Sequence, residues 1–396
     1  KLTFSKRINL IKPSSTMSLT SKANELRALG EDIIVLTVGE PDFDTPEYIK
    51  DAGQKAIESG KTKYTSVDGV PELKNAIVNK FKKENDLIFN CDEVIVSSGC
   101  KQSIFNLLQV IIDHDDEVLI PGPYWVSYAD MVTYAGGKPI LIESSYENNF
   151  DLNFDFIEKN INDKTKLFML NSPNNPSGKY FDSTTLKKLA GLLRQHDKIY
   201  ISSDDIYEHI FWHHEKFQNI LNVAPDLKER TIIFNGVSKA YSMTGWRIGY
   251  AAGNKEIIKK MKTLQSQSTS CASSVSQYAA ISALTQKCEE LPKMNAEYKK
   301  RHDYVVKELN DISGVTCRET DGTFYVFPSF IEYIKRCQKI NDDDELAMYL
   351  LNEGKVAVVP GSAFGMGGHL RLSIALDLKT LEIAMNRIKT TLNNDE

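Results

Sequence analysis

Lys239 and Arg247 stand eight residues apart in the segment Asn235-Gly-Val-Ser-Lys-Ala-Tyr-Ser-Met-Thr-Gly-Trp-Arg-Ile-Gly249. The apolar run Thr231-Ile-Ile-Phe234 precedes it, so the lysine falls just beyond an expected strand. A lysine held there with its amine neutral can form a Schiff base with a carbonyl compound. An arginine on a loop of small residues suits a dianionic phosphate ester, whose oxygens match its planar fork. The two together describe a site for pyridoxal 5′-phosphate. A solvated Ser-Lys pair followed by an unrelated arginine is the plain alternative, because short motifs recur by chance.

Four other polar loops also follow apolar runs. In an open parallel sheet, ligands bind beyond the carboxyl ends of the strands, so these loops should converge on one crevice. Ser97-Ser-Gly-Cys-Lys-Gln102 opens a helix with small residues and can offer backbone N–H groups to an anion, although such turns are usually only turns. Pro121-Gly-Pro-Tyr-Trp125 can present Trp125 as a flat surface for a pyridine ring; alone, a tryptophan is more often core. In Asn171-Ser-Pro-Asn-Asn-Pro-Ser-Gly178 the prolines stiffen the backbone, so Asn175 can aim its amide at a phenolate oxygen such as O3′ of the cofactor. An ordinary Asx/Pro turn is its plain reading. Ser202-Ser-Asp-Asp-Ile-Tyr207 supplies Asp204, just past the expected strand, to keep a pyridine nitrogen protonated. Asp205 reads as a neighbouring solvated acid, and Tyr207 as a second O3′ donor. Each loop has a plain reading, but none accounts for all of them at successive strand ends.

The elements that must position these residues read as α/β. Apolar runs at 94–97, 117–120, 167–170, 199–202 and 231–234 alternate with amphipathic stretches such as Ile104, Leu107, Leu108 and Ile111. Beyond residue 290 the texture becomes α+β: a charged helix over 290–309, strands at 322–327 and 356–360, and a closing helix over 376–392. The chain's 396 residues fit two domains. We expect a large domain of residues 46–290, with a mostly parallel sheet between helices, and a smaller α+β domain of residues 1–45 and 291–396. A net charge of −5 without strong runs of either sign argues against nucleic acid as the main partner. No apolar run approaches the roughly 18 residues of a membrane helix. Lys1-Leu-Thr-Phe-Ser-Lys-Arg7 lacks a secretory core. Six cysteines without a CxxC pair favour free thiols in a reducing cytosol over disulfides or a metal site. A soluble cytoplasmic enzyme is expected.

Gly236 to Gly249, the Asn-Asn-Pro-Ser-Gly loop and Ser-Asp-Asp-Ile-Tyr-Glu-His together resemble the class I, fold-type I PLP-dependent aminotransferases, and more narrowly the bacterial-type aspartate aminotransferases. The resemblance runs from about Lys12 to the C-terminal helix. It implies that Lys239 is the cofactor-bound lysine and general base, that Asp204 pairs with the pyridine nitrogen, and that Asn175 and Tyr207 bind O3′. It also implies that Trp125 stacks on the ring, that Gly99, Cys100, Lys101 and Arg247 surround the phosphate, and that Arg371 in Leu370-Arg-Leu-Ser373 grips the substrate α-carboxylate. Gly39 in Thr37-Val-Gly-Glu-Pro-Asp42 matches a loop that covers the substrate. Tyr64 matches a tyrosine that reaches the phosphate of a neighbouring subunit, so a homodimer with shared sites is implied.

Two departures stand out. Many relatives carry serine where this chain has Gly236, so a phosphate hydroxyl is missing or is replaced by Ser238. Cys100 holds a position usually given to a smaller or hydroxyl residue, so its phosphate contact would be through the backbone. The stretch 266–280 lacks the arginine that some aspartate aminotransferases use for the distal carboxylate. In the bacterial subgroup a phosphate-loop lysine and N-terminal hydroxyls do this, which matches Lys101 and the Ser14-Ser15-Thr16 cluster. The expected pair is therefore L-aspartate and 2-oxoglutarate, with ping-pong transfer. A prephenate or aromatic amino-acid aminotransferase, and a PLP-dependent carbon–sulfur lyase, are the alternatives. A non-catalytic regulator is a third class, which Lys239, Asp204 and Arg371 argue against.

Overall fold

The computed structural model describes residues 2–13 and 15–393, and of Ser15 only the backbone. Ser14 and the side chain of Ser15 thus lie outside the described residues. The central sheet has seven strands: β1 (Val94–Ser97), β2 (Glu117–Pro121), β3 (Lys138–Ile142), β4 (Thr165–Asn171), β5 (Tyr200–Asp204), β6 (Thr231–Gly236) and β7 (Gly249–Ala252). Their order is β1-β7-β6-β5-β4-β2-β3. The pairs from β6 to β3 are parallel, and β7 is antiparallel to both of its neighbours. Residues 237–248, which join β6 to β7, contain only the 3-10 turn Thr244–Trp246. Without a crossover helix the chain can only turn back beside the strand it left.

The sheet is buried on both faces, which is why its strands read as continuous apolar runs rather than alternating ones. Val96, Leu119, Phe168, Leu170, Ile201 and Ile233 pack with Leu73, Ile77, Phe81, Leu186, Leu189 and Ala279. The alternate positions Ile95, Val118, Ile120, Leu167, Met169, Ile232 and Phe234 meet Ile104, Leu108, Met131, Val132 and Met261 from the opposite helices. Each face therefore has its own helical cover.

Shorter strands build the rest. Ile34–Val35 lies parallel to Val356–Ala357, and Leu370–Ser373 lies between Val359–Pro360 and Tyr325–Val326, antiparallel to both. Val305, Leu309, Leu346, Leu350, Leu372, Leu381 and Ile388 share a core with Ile34 and Leu36, and also with Ile206 and Tyr207 from the loop after β5. Two expected strands are cut down. The run 322–327 keeps only Tyr325–Val326, because Thr323 takes a left-handed φ of 68° that breaks extended backbone. The run 356–360 serves two sheets, Val356–Ala357 in one and Val359–Pro360 in the other. β3 and β7 lie outside the expected apolar runs: Pro139 sits in an edge strand, and Gly-Tyr-Ala-Ala carries little apolar bulk. The helices Glu290–Asn310 and Leu378–Asn393 fall close to expectation. No helix among the described residues is long and apolar enough to cross a membrane.

Behind the sheet ends lies a buried ion pair. Lys80, on helix Pro71–Asn85, donates to Glu208 of the segment after β5. Asn85 and Asn235 donate to the same carboxylate, each at 2.7 Å. Glu84 and His209 complete an acidic cluster, but the Lys80 ammonium, 3.6 Å from Glu84, already supplies its cation. Burial raises the Glu208 pKa, yet Lys80, His209 and Asn85 outweigh it and hold the carboxyl at about 2, below its ordinary 4.5. Lys80→Met should therefore cost about 3–5 kcal/mol in urea unfolding near neutral pH, since it strands a buried carboxylate. A depressed carboxyl stabilises fully above its unfolded value, and that contribution fades as pH falls from about 4.5 toward 2. The gap between wild type and Lys80→Met should close over the same window; a pH-independent gap would contradict the pairing.

Candidate active site

A cavity of about 430 Å³ opens at the carboxyl ends of the parallel strands, within the range of small-ligand sites. All four loops and the Lys239 segment reach it, through Cys100, Lys101, Trp125, Asn171, Asn175, Asp204, Tyr207, Lys239 and Arg247. Thr16, Gly39 and Arg371 line it from the other side.

Lys239 lies three residues past β6, with its amine donating to the Gly39 carbonyl and near the rings of Tyr207 (5.9 Å) and Phe324 (5.8 Å). Burial lowers its pKa to about 8; Arg247 and Arg371 push the same way, while Glu40 and Asp204 oppose them. A useful share of the amine is then a free nucleophile near neutral pH.

Asp204 is the last residue of β5, not a residue just beyond it. Tyr128 donates to its Oδ2 at 2.5 Å, Ile206 N–H donates to Oδ1 at 3.3 Å, and Cys100 Sγ lies 3.8 Å away. Burial lifts this carboxyl to about 6, and these three donors hold it from rising further. Among the described residues no cation pairs with it, so a protonated nitrogen would satisfy an acid that is costly to bury alone. Asp205 is not solvated as expected. Strand alternation turns it away from the cavity, and Ser203 Oγ (2.6 Å) and Asn219 Nδ2 (2.8 Å) donate to it. Burial, then Glu208, raises its pKa well above the usual carboxylate range.

Arg371 is 2 % exposed and has no acidic partner among the described residues. It donates from Nη1 to Asn175 Oδ1 at 2.9 Å and from Nη2 to the Thr37 carbonyl at 2.8 Å, while its buried Nε has no partner. The guanidinium lies between the rings of Tyr325 (4.3 Å) and Phe364 (4.9 Å). A buried guanidinium with an idle N–H is built to receive a carboxylate. Because Oδ1 of Asn175 is taken, its NH₂ end remains as the donor. The Tyr207 hydroxyl shares a 2.9 Å hydrogen bond with that of Tyr325.

At the other end, Arg247 sits in a left-handed turn (φ 55°) and donates to the carbonyls of Thr244 at 2.8 Å and Ser98 at 3.5 Å. Gly99, at φ 85°, precedes helix Cys100–Ile111, and a Cβ there would collide with the Arg247 guanidinium. The free N–H groups of that helix and the guanidinium thus form one anion cradle. Cys100 holds its thiol as a neutral group, since burial and Asp204 raise its pKa. A side chain at Gly236 would press on the Ile248 carbonyl at 2.9 Å, whereas Ser238 lines the cavity. Lys101 Nζ lies 4.7 Å from the centre of the Trp125 ring, and Trp125 meets Tyr128 edge-on at 5.3 Å. Tyr64 is 91 % exposed and does not line the cavity.

Sequence reasoning missed Tyr128, Tyr325, Thr37 and Glu40. Tyr128 offered a faint signal, three residues after Trp125 at a helix start; the other three act through contacts that only the fold creates.

The model for aminotransferase class I and II matches residues 31–388. The chain belongs to that family. It is 47% identical over 394 residues to an aspartate/prephenate aminotransferase of Nitrosomonas europaea, covering 98% of this chain and 99% of the relative. An aspartate aminotransferase of Bacillus subtilis is 44% identical, with 97% of each chain covered. The crystal structure of an aspartate aminotransferase from Rhizobium meliloti superposes with a TM-score of 0.96 at 41% identity over 99% of each chain. The Thermus thermophilus aspartate aminotransferase with maleate gives 0.92 at 39%, covering 99% of this chain and 100% of that one. The fold is therefore the fold type I of this aminotransferase family.

The Lys239 amine gives a direct test. Trapping of a small aldehyde with borohydride, read by mass spectrometry on the peptide containing residue 239, should rise with a midpoint near pH 8. Exposed lysines should titrate toward about 10.4. A midpoint for Lys239 as high as theirs would remove the activated nucleophile.

Proposed function

We propose that the cavity holds pyridoxal 5′-phosphate and that the protein moves the amino group of L-aspartate to 2-oxoglutarate, giving oxaloacetate and L-glutamate in two half-reactions. One observation carries this reading: Lys239, Asp204 and Arg371 line one cavity, each lacking an ion-pair partner among the described residues. The residues present suit the cofactor. Lys239 would take its carbonyl, Asp204 its ring nitrogen, Asn175 and Tyr207 its O3′, and Trp125 its ring face. The Gly99-Cys100-Lys101 turn and Arg247 would take its phosphate, with Tyr64 supplied by a second copy in a homodimer. When bound, the cofactor supplies an electron sink for the charge left at the substrate Cα.

The chain's own residues then divide the work. Arg371 grips the α-carboxylate at two points, oriented by Asn175 and Thr37. The Lys239 amine takes the proton from Cα of the amino donor in one half-reaction and supplies the proton to Cα of the new amino acid in the other, tasks suited to a base of pKa about 8. Asp204, anchored by Tyr128, stays charged opposite a protonated nitrogen. Lys101, with Thr16, holds the distal carboxylate. Residues 46–290 act as the large domain, and residues 1–45 with 291–396 as the small domain that carries Gly39 and Arg371. All six cysteines are free thiols, which suits a cytoplasmic enzyme.

A second reading adds prephenate as an amino acceptor. The Nitrosomonas relative is named for both substrates, and the outer cavity wall includes Met17 and Val38, with a flexible thioether that adapts to larger side chains.

The visible band of the cofactor-loaded protein should be lost on adding L-aspartate without acceptor and return with 2-oxoglutarate. Release of pyruvate and ammonia without acceptor would indicate a lyase instead. Lys101→Ala should cost aspartate about 2 kcal/mol in kcat/KM, roughly thirtyfold, while sparing tyrosine. Equal losses for both donors would remove Lys101 from the distal site.

A further inference from the structure

The loop Thr37–Asp42 touches both groups that an amino-acid substrate must engage together. Its Thr37 carbonyl holds Arg371 Nη2 at 2.8 Å, and its Gly39 carbonyl accepts from Lys239. The Gly39 position has no room for a side chain, because a Cβ would stand 2.6 Å from the Tyr325 hydroxyl. Glu40 accepts from Thr244 Oγ1 at 2.8 Å, beside Arg247.

The far end of this loop is fixed by a separate device. Asp42 takes two contacts from Arg301 Nη1, at 2.9 and 3.0 Å, and one from the Tyr298 hydroxyl at 3.4 Å. Arg301 is 4 % exposed on helix Glu290–Asn310, and its guanidinium lies over the rings of Phe43 (5.3 Å) and Tyr298 (5.5 Å). The same Nη1 lies 3.3 Å from the Ile374 carbonyl, three residues beyond Arg371. The contacts therefore close a ring: Arg371 to Thr37, along the loop to Asp42, across to Arg301, to Ile374 and back to Arg371. Glu297 also meets Arg301, at 3.2 Å through Nε, but it is not part of that ring.

We propose that Asp42 and Arg301 are positioning residues, whose ion pair, buried on the Arg301 side, sets the distance between the Lys239 amine and the Arg371 guanidinium by fixing the loop that contacts both. The consequence for substrate rests on the aminotransferase reading; the mechanical link does not. Without the pair the loop keeps its fold-bearing start at Ile34–Val35 but loses the anchor that orients Gly39.

The test compares Asp42→Asn with Glu297→Gln, both in the cofactor-loaded protein. Hydrogen exchange over residues 36–46 reads the loop directly, without any ligand. Binding of maleate, a dicarboxylate that cannot react, reads the site. Asp42→Asn should speed exchange in that segment and weaken maleate binding about tenfold, with a matching rise in the aspartate KM and a smaller change in kcat. Glu297→Gln should lower thermal stability similarly while leaving maleate binding unchanged. Arg301→Lys, which keeps the charge but loses the planar fork, should fall between wild type and Asp42→Asn and stands in if Asp42→Asn does not fold. Unchanged exchange over 36–46 in Asp42→Asn would overturn the link whatever the substrate is. Equal weakening of maleate by Glu297→Gln would reduce the pair to ordinary stability. A wild type inert to aspartate would instead sink the aminotransferase reading and leave the exchange result standing.

Discussion

Charge buried without its counter-charge is the constraint on which this structure turns. Removing an ionised group from water is costly unless a partner or hydrogen bonds compensate, and a protein usually meets that cost by pairing. The chain does so at Lys80 and Glu208, and at Arg301 and Asp42. In the central cavity it does not. Lys239, Asp204 and Arg371 are given neutral donors, carbonyls and aromatic faces instead. The result is a shifted amine, a shifted acid and an idle guanidinium N–H in one place. Such clustering is what a ligand of complementary charge would relieve.

The paired charges make the unpaired ones tolerable. Glu208 follows Tyr207 and takes hydrogen bonds from Asn85 and Asn235, so one buried carboxylate joins the segment after β5, the end of helix Pro71–Asn85 and strand β6. Tyr207 and Lys239 are thereby referred to a common frame. A buried ion pair is weak evidence for net stability, but its geometric demands are strict, and here they fall within a few residues of the reactive groups. The Asp42–Arg301 pair does the same on the opposite wall. Rigid support beneath a reactive side chain is what allows it to stay poorly solvated without collapsing onto its neighbours.

Much of this frame could be read from the chain because it depends on local pattern. A sheet buried on both faces writes its strands as unbroken apolar runs, and β4 is the clearest case. The residues after such runs are loop residues at one sheet edge, so Asn175, Asp204 and Lys239 could be grouped without coordinates. Arg371 was legible as a charge between Leu370 and Leu372. What stayed hidden is interaction through space. Tyr128 is an ordinary helix residue until the fold sets its hydroxyl against Asp204. Asp205 differs from Asp204 only by strand parity, which sends it to Ser203 and Asn219 rather than to solvent. Tyr64 stands exposed, and no property of one copy of the chain states what it would touch.

The signs of the charges around Lys239 carry one more consequence. Burial, Arg247 and Arg371 lower its proton affinity, while Glu40 and Asp204 raise it. An anion at either arginine cancels one of the lowering influences and leaves the raising ones in place. With both cations unmasked the amine is at its least basic, which favours attack on a carbonyl. A carboxylate placed against Arg371 would raise the proton affinity of the same amine. The reactivity of one lysine can thus follow occupancy of the site through electrostatics alone, without a moving part. The arrangement works only while Arg371 lacks a protein carboxylate. An internal partner would already cancel the lowering influence of Arg371 on Lys239.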